Sequence, residues 1–169
     1  MSRSPSFYQR LAMMPATTLL GLLLLFAFAG AATATATQES HTVNLSSPYS
    51  FDETLNRVRS MLTDNGLTIF AQIDHQGAAR KVDLQMPPTT VLIYGNPKAG
   101  TPFMLAAPNF ALELPLRVLI RADENGRTWV VYEPAASLDG RHGLPEGMAE
   151  RLGAAEKLLA AAIQAPTQP

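Results

Sequence analysis

Two periodicities alternate along the chain. Phe51, Leu55, Val58, Met61 and Leu62 recur at the spacing of a helix that buries one face. Ser50 with Glu53 three residues on forms a capping box, and Asn65-Gly66 supplies the stop, so the spacing predicts a helix between them. Leu67, Ile69, Ala71 and Ile73 then alternate with Thr68, Phe70, Gln72 and Asp74, the period of a strand. Ahead of the helix, His41 to Leu45 alternates as a short first strand that Ser46-Ser47-Pro48-Tyr49 breaks.

In the second half, Asp74 is placed to cap a short helix from His75 to Leu84. Ala78, Ala79 and Val82 form its apolar stripe, and Met86-Pro87-Pro88 ends it. Thr89 to Tyr94 is β-branched and apolar, the composition of a buried strand, and it runs into a Gly- and Pro-rich loop from Gly95 to Pro102. A helical turn is expected at Phe103 to Ala107. Leu112, Leu114, Leu116, Val118 and Ile120 share one face of a long strand, in which Pro115 implies an edge position or a bulge. Asp123-Glu124-Asn125-Gly126 is a hairpin turn and Thr128 to Glu133 the returning strand. A last helix from Pro145 to Ile163 lines up Met148, Leu152, Ala155, Leu159 and Ala162. The order β-α-β-α-β-(short α)-β-β-α predicts a single α+β domain: a mixed, mostly antiparallel sheet of about five strands covered by three main helices.

The start of the chain follows neither period. Arg3 and Arg10 precede an apolar run of 11 residues, Leu19 to Ala29, and small residues follow it. That is the layout of a secretory signal peptide, and the run falls short of the ~20 residues that cross a bilayer. Residues 1–36 are therefore expected to be removed after Ala36, with Ala34 and Ala29 as alternative sites. The mature product is expected to be periplasmic or extracellular, without a stable membrane anchor. Within it, 37–46 is the lead-in with the first strand, 47–163 the domain and 164–169 a flexible tail. Cleavage leaves 133 residues with 11 basic and 14 acidic side chains, net −3. That balance argues against a nucleic-acid partner. The absence of cysteine excludes disulfides and thiol chemistry.

Three segments, Ile73-Asp74-His75, Val91 to Pro102 and Leu114-Pro115-Leu116-Arg117, occur in an order and spacing that resembles the domain of unknown function 302 family. The resemblance covers roughly residues 47–163, and Gly-Asn-Pro-x-x-Gly-Thr-Pro is its most specific part. It implies a compact α+β fold with a pocket or surface around that loop, and it implies no established reaction. Phe103 stands where members of the family more often carry an aliphatic residue, a change that narrows whatever the loop lines.

The residues themselves offer a binding loop before they offer a reaction. Gly95 and Gly100 could turn backbone N–H groups toward an anion, with Asn96 and Thr101 beside them and Lys98 adding charge. No lysine stands where a phosphate-binding loop needs one, which rejects a nucleoside triphosphatase. His75 beside Asp74 could also contribute to a ligand site. The expected ligand-binding set is therefore Gly95, Asn96, Lys98, Gly100, Thr101 and His75, with no catalytic residue, metal or cofactor. The leading expectation is a non-enzymatic module for a small polar or anionic ligand or a protein partner, with homodimer formation left open. The alternative is a small hydrolase or isomerase using His75 with Asp74 or Glu113. His41, His75 and His142 lack metal-ligand spacing, and no Gly-x-Ser-x-Gly elbow is present.

Overall fold

The computed structural model describes residues 42–165. The expected leader and its cleavage sites, and all but the first two residues of the expected tail, lie outside that range. The strands are β1 (Val43–Ser47), β2 (Thr68–Asp74), β3 (Thr89–Gly95), β4 (Leu116–Ala122) and β5 (Thr128–Tyr132). They form one five-stranded sheet in the order β1-β5-β4-β3-β2. Every pairing is antiparallel. The helices are α1 (Phe51–Asp64), α2 (His75–Arg80), α3 (Pro97–Ala106) and α4 (Ala154–Ala162).

One face of the sheet carries the main core. Leu92 and Tyr94 of β3, Val118 and Ile120 of β4, and Val130 and Tyr132 of β5 all point to it, as alternation requires. Leu55, Val58 and Leu62 of α1 close over them together with Ala155, Leu159 and Ala162 of α4. A buried hydroxyl pair, Ser47 to Thr54 at 2.7 Å, fastens β1 to the start of α1. The opposite face, with Val91, Leu119 and Val131, is only half buried. A second, smaller core gathers Phe103, Ala107, Phe110, Leu138, Leu144 and Ala149 beside the sheet. Its Phe103 and Phe110 rings stack with centroids 5.9 Å apart.

Helix α1 follows the expectation, with the Ser50 hydroxyl accepting from Glu53 N. The hairpin does too: the Asp123 carboxylate accepts from Asn125 N and Arg127 N at 2.9 Å each, and Gly126 takes the left-handed φ of +75° that the turn requires. Trp129 Nε1 and Arg127 also donate to Asp123, and these bonds hold its carboxyl at about 2, the Trp129 bond foremost.

Several segments differ from their expectation for identifiable reasons. β1 runs through Ser47 because the ladder with β5 continues to Thr128. β2 carries a bulge between Ile69 and Ala71, which interrupts strict alternation and leaves Phe70 exposed. The helix capped by Asp74 stops at Arg80 and buries nothing; Val82, expected on its apolar stripe, is 65% exposed. Leu112 belongs to a 3₁₀ turn and is 73% exposed, so the long strand begins only after Pro115. β4 lies inside the sheet, and Pro115 precedes the strand rather than marking an edge or a bulge. The last helix is also shorter. Asp139 accepts from Gly147 N at 2.7 Å and Ala149 N at 3.2 Å, and Gly147 is left-handed at φ +74°, so regular α-helix begins at Ala154.

Candidate functional site

The segment expected to be a Gly-rich loop is the first half of a helix. Asn96 is its N-cap, with Oδ1 accepting from Lys98 N at 2.9 Å and Ala99 N at 3.3 Å. Pro97, with no N–H to satisfy, occupies the first helical position. The Asn96 amide also donates to Gly66 O at 3.2 Å, tying the cap to the end of α1. Gly100 N reaches Asn96 O at 2.8 Å, and Thr101 bonds back to Pro97 O at 2.7 Å. The N–H groups of Lys98, Ala99 and Gly100 are thus already paired, and neither Gly95 nor Gly100 has positive φ. The chain therefore forms no backbone anion nest here. The expected turn at Phe103 to Ala107 is the second half of the same helix and its C-cap.

What the segment does form is the shared wall of two pockets. On one side a cavity of about 210 Å³ lies between the start of α3 and α4, lined by Gly95, Asn96, Gly100, Leu152, Ala155 and Leu158. Arg151 stands at this cavity, 5.9 Å over the Phe103 ring, and has no ion-pair partner among the described residues. On the other side a cavity of about 170 Å³ is bounded by Phe70, Thr101, Met104, Leu114 and Pro115, again with Gly95 and Gly100 in its wall. Packing does not demand either glycine. A Cβ at Gly95 would stand 3.6 Å from Phe70 Cε2 and Pro115 Cβ, and one at Gly100 would stand 3.5 Å from Leu114 Cδ1, both ordinary contacts.

A second constellation sits at the half-buried face of the sheet. Glu113 is 11% exposed; its Oε1 lies 2.9 Å from His142 Nε2 and its Oε2 lies 3.4 Å from Arg141. Arg141 also pairs with Glu133. His142 is left-handed at φ +53°, a conformation unfavourable for a residue with a Cβ, and its bond to Glu113 helps to hold it. Glu113 and Glu133 line a groove of about 230 Å³ that also includes Arg117.

Of the expected ligand-binding residues, Gly95, Asn96, Gly100 and Thr101 come together at the paired pockets, and Lys98 is exposed on α3 away from their linings. His75 is exposed at the start of α2, and its side chain makes no hydrogen bond or ion pair among the described residues. Asp74 caps Gly77 N at 2.8 Å, and the partners of Glu113 are His142 and Arg141, so the His75 constellation with Asp74 or Glu113 does not assemble. Arg151, Glu133 and Arg141 escaped the sequence reading, and His142 enters it only as a histidine without metal-ligand spacing. Glu113, a charge in an apolar stretch, was the available signal. The buried phenols are unsuited to acid–base work at neutral pH: burial pushes both Tyr94 and Tyr132 upward, and the Glu156 carboxylate adds to the shift.

Known proteins share this domain. The chain is 35% identical over 106 residues to proteins named fluoride-specific ion channel FluC 1 in Brucella suis and Brucella abortus, and to FluC 2 of Brucella melitensis. The match takes in 63% of this chain but only 42% of the Brucella suis protein and 39% of the other two. Among the described residues no helix is long and apolar enough to cross a membrane. A DUF302 protein of Bacillus stearothermophilus, known from its crystal structure, has the same fold at a TM-score of 0.63 and 20% identity, over 73% of this chain and 95% of that one. The family model described as domain of unknown function DUF302 matches residues 43–165, and the chain belongs to that family.

Proposed function

We propose that this protein is a non-enzymatic binding module, exported by virtue of residues 1–36, that takes a small anionic ligand with an apolar body. The ligand's body occupies the pocket between α3 and α4, and its charge meets the guanidinium of Arg151. The observation that carries this reading is Arg151, a cation without an ion-pair partner among the described residues, at the wall of an otherwise mostly apolar pocket. Gly95 and Gly100 form part of that wall through their backbone, and a Cβ on either would point away from it, toward Phe70, Pro115 and Leu114 of the neighbouring cavity. Mostly apolar lining with a few polar groups suits a small-molecule site. The relatives support an accessory role, since a match to this chain makes up only about two fifths of proteins named for another activity.

Hexanoate is a suitable probe, with hexanol as its uncharged counterpart. Isothermal titration should show hexanoate binding to the mature protein, weakened by both Arg151→Gln and Ala154→Leu, the latter at an exposed residue of the pocket wall. Hexanol binding should respond to Ala154→Leu alone. Hexanoate binding that is insensitive to both substitutions, or none at all, would defeat the proposal.

A further inference from the structure

The groove on the half-buried face of the sheet is a separate site with its own charge pattern. Its floor is Val91, Leu119 and Val131, from three adjacent strands. Arg117 on β4 and Glu133, the residue after β5, stand at its rim one step beyond the register pair Val118–Tyr132. Side chains so placed ordinarily pair with each other. Here Glu133 Oε1 is turned to Arg141 and Ser137 instead, and Glu133 Oε2 has no partner among the described residues. The Arg117 side chain likewise makes no hydrogen bond or ion pair among them. Both oxygens of Glu113 are taken by His142 and Arg141, so Glu113 acts as a fixed wall that anchors Arg141. The groove thus offers one open cation and one open carboxylate oxygen above an apolar floor.

We infer that this groove binds a free α-amino acid with an aliphatic side chain. The carboxylate would meet Arg117 and the ammonium Glu133 Oε2, while the side chain lies on Val91, Leu119 and Val131. A cavity of about 230 Å³ has room for one such molecule and too little for a nucleotide. Arg–carboxylate contacts are the strong, geometrically specific kind, and an apolar floor between two opposite charges rejects ligands that carry only one of them.

The test is an NMR titration of the mature, isotopically labelled protein with L-leucine. Two analogues accompany it: 4-methylpentanoate, which lacks the ammonium, and leucinamide, which lacks the carboxylate. L-Leucine should move the amides of Arg117, Leu119 and Val131, and each analogue should bind at least about 10-fold more weakly. Arg117→Gln, at an exposed position, should weaken leucine by a similar factor and leave leucinamide unchanged. Glu133→Gln should weaken leucine and leave 4-methylpentanoate unchanged; if that variant fails to fold, the Arg117 arm decides alone. The inference is overturned if leucine up to ~20 mM moves none of the three amides, if the three compounds bind alike, or if Arg117→Gln has no effect. Shifts confined to Gly95 and Gly100 would also overturn it while leaving the pocket between α3 and α4 intact.

Discussion

Replacing Gly100 by alanine separates what the fold wants from what the pocket wants. Gly100 lies within α3 without positive φ, and a Cβ there would meet Leu114 Cδ1 at 3.5 Å, an ordinary van der Waals distance. Glycine inside a helix costs about 0.5–1 kcal/mol relative to alanine, chiefly through the freedom of the unfolded chain, and no clash offsets that gain here. Gly100→Ala should therefore raise stability by about 0.5–1 kcal/mol. In urea, at a slope of about 2 kcal/mol/M, the midpoint should rise by about 0.25–0.5 M with the slope unchanged. The same methyl projects toward Leu114, which lines the cavity bounded by Phe70 and Met104 and not the pocket between α3 and α4, so hexanoate affinity should stay unchanged as the melting temperature climbs. A lower urea midpoint would refute the claim that packing leaves room for a Cβ there. A higher midpoint with weakened hexanoate binding would refute the assignment of the ligand to the pocket between α3 and α4.

Asn96→Ala removes the one acceptor that caps two N–H groups and the tie to Gly66 O, and should cost about 1–2 kcal/mol in the same urea assay. Lys98→Ala, by contrast, should stay within about 0.5 kcal/mol and leave hexanoate titrations unchanged, because the capped group is the backbone N–H. Asp74→Asn should be nearly neutral and Asp74→Ala should cost about 1 kcal/mol, while His75→Ala should alter neither stability nor binding. Asp123 titrates at about 2 in the folded protein against 3.8 ordinarily, so its contribution is present above pH 4 and is lost as pH falls toward 2. Asp123→Asn should flatten that part of the stability–pH curve, and carboxyl NMR shifts would report the midpoint directly.

The fold was legible wherever a local pattern coincided with its tertiary surroundings. Ser50 to Gly66 carried its own cap, stripe and stop, and the Asp123 to Gly126 turn carried its own acceptor and glycine, so both formed as expected. Reading failed where chain-local rules compete. Glycine and proline in Gly95 to Pro102 signal a loop, but an Asn cap followed by proline also starts a helix, and nothing in the composition decides between them. Leu112 and Leu114 continued an alternating pattern that the 3₁₀ turn ahead of Pro115 interrupts. Four of the expected ligand residues do meet at one place, for a different reason than backbone donation. The Glu113, Glu133, Arg141 and His142 cluster joins residues up to 29 apart along the chain, a pairing that no spacing rule announces.

The central claim is that the pocket between α3 and α4 holds an anionic ligand against Arg151, and it is tested most directly by mapping hexanoate on residues 37–169 by amide and methyl chemical shifts. The account expects the Gly95, Asn96 and Gly100 amides and the Leu152 and Leu158 methyls to move together, and that response to weaken in Arg151→Gln. Shifts elsewhere on the protein, or a response that Arg151→Gln leaves unchanged, would contradict it.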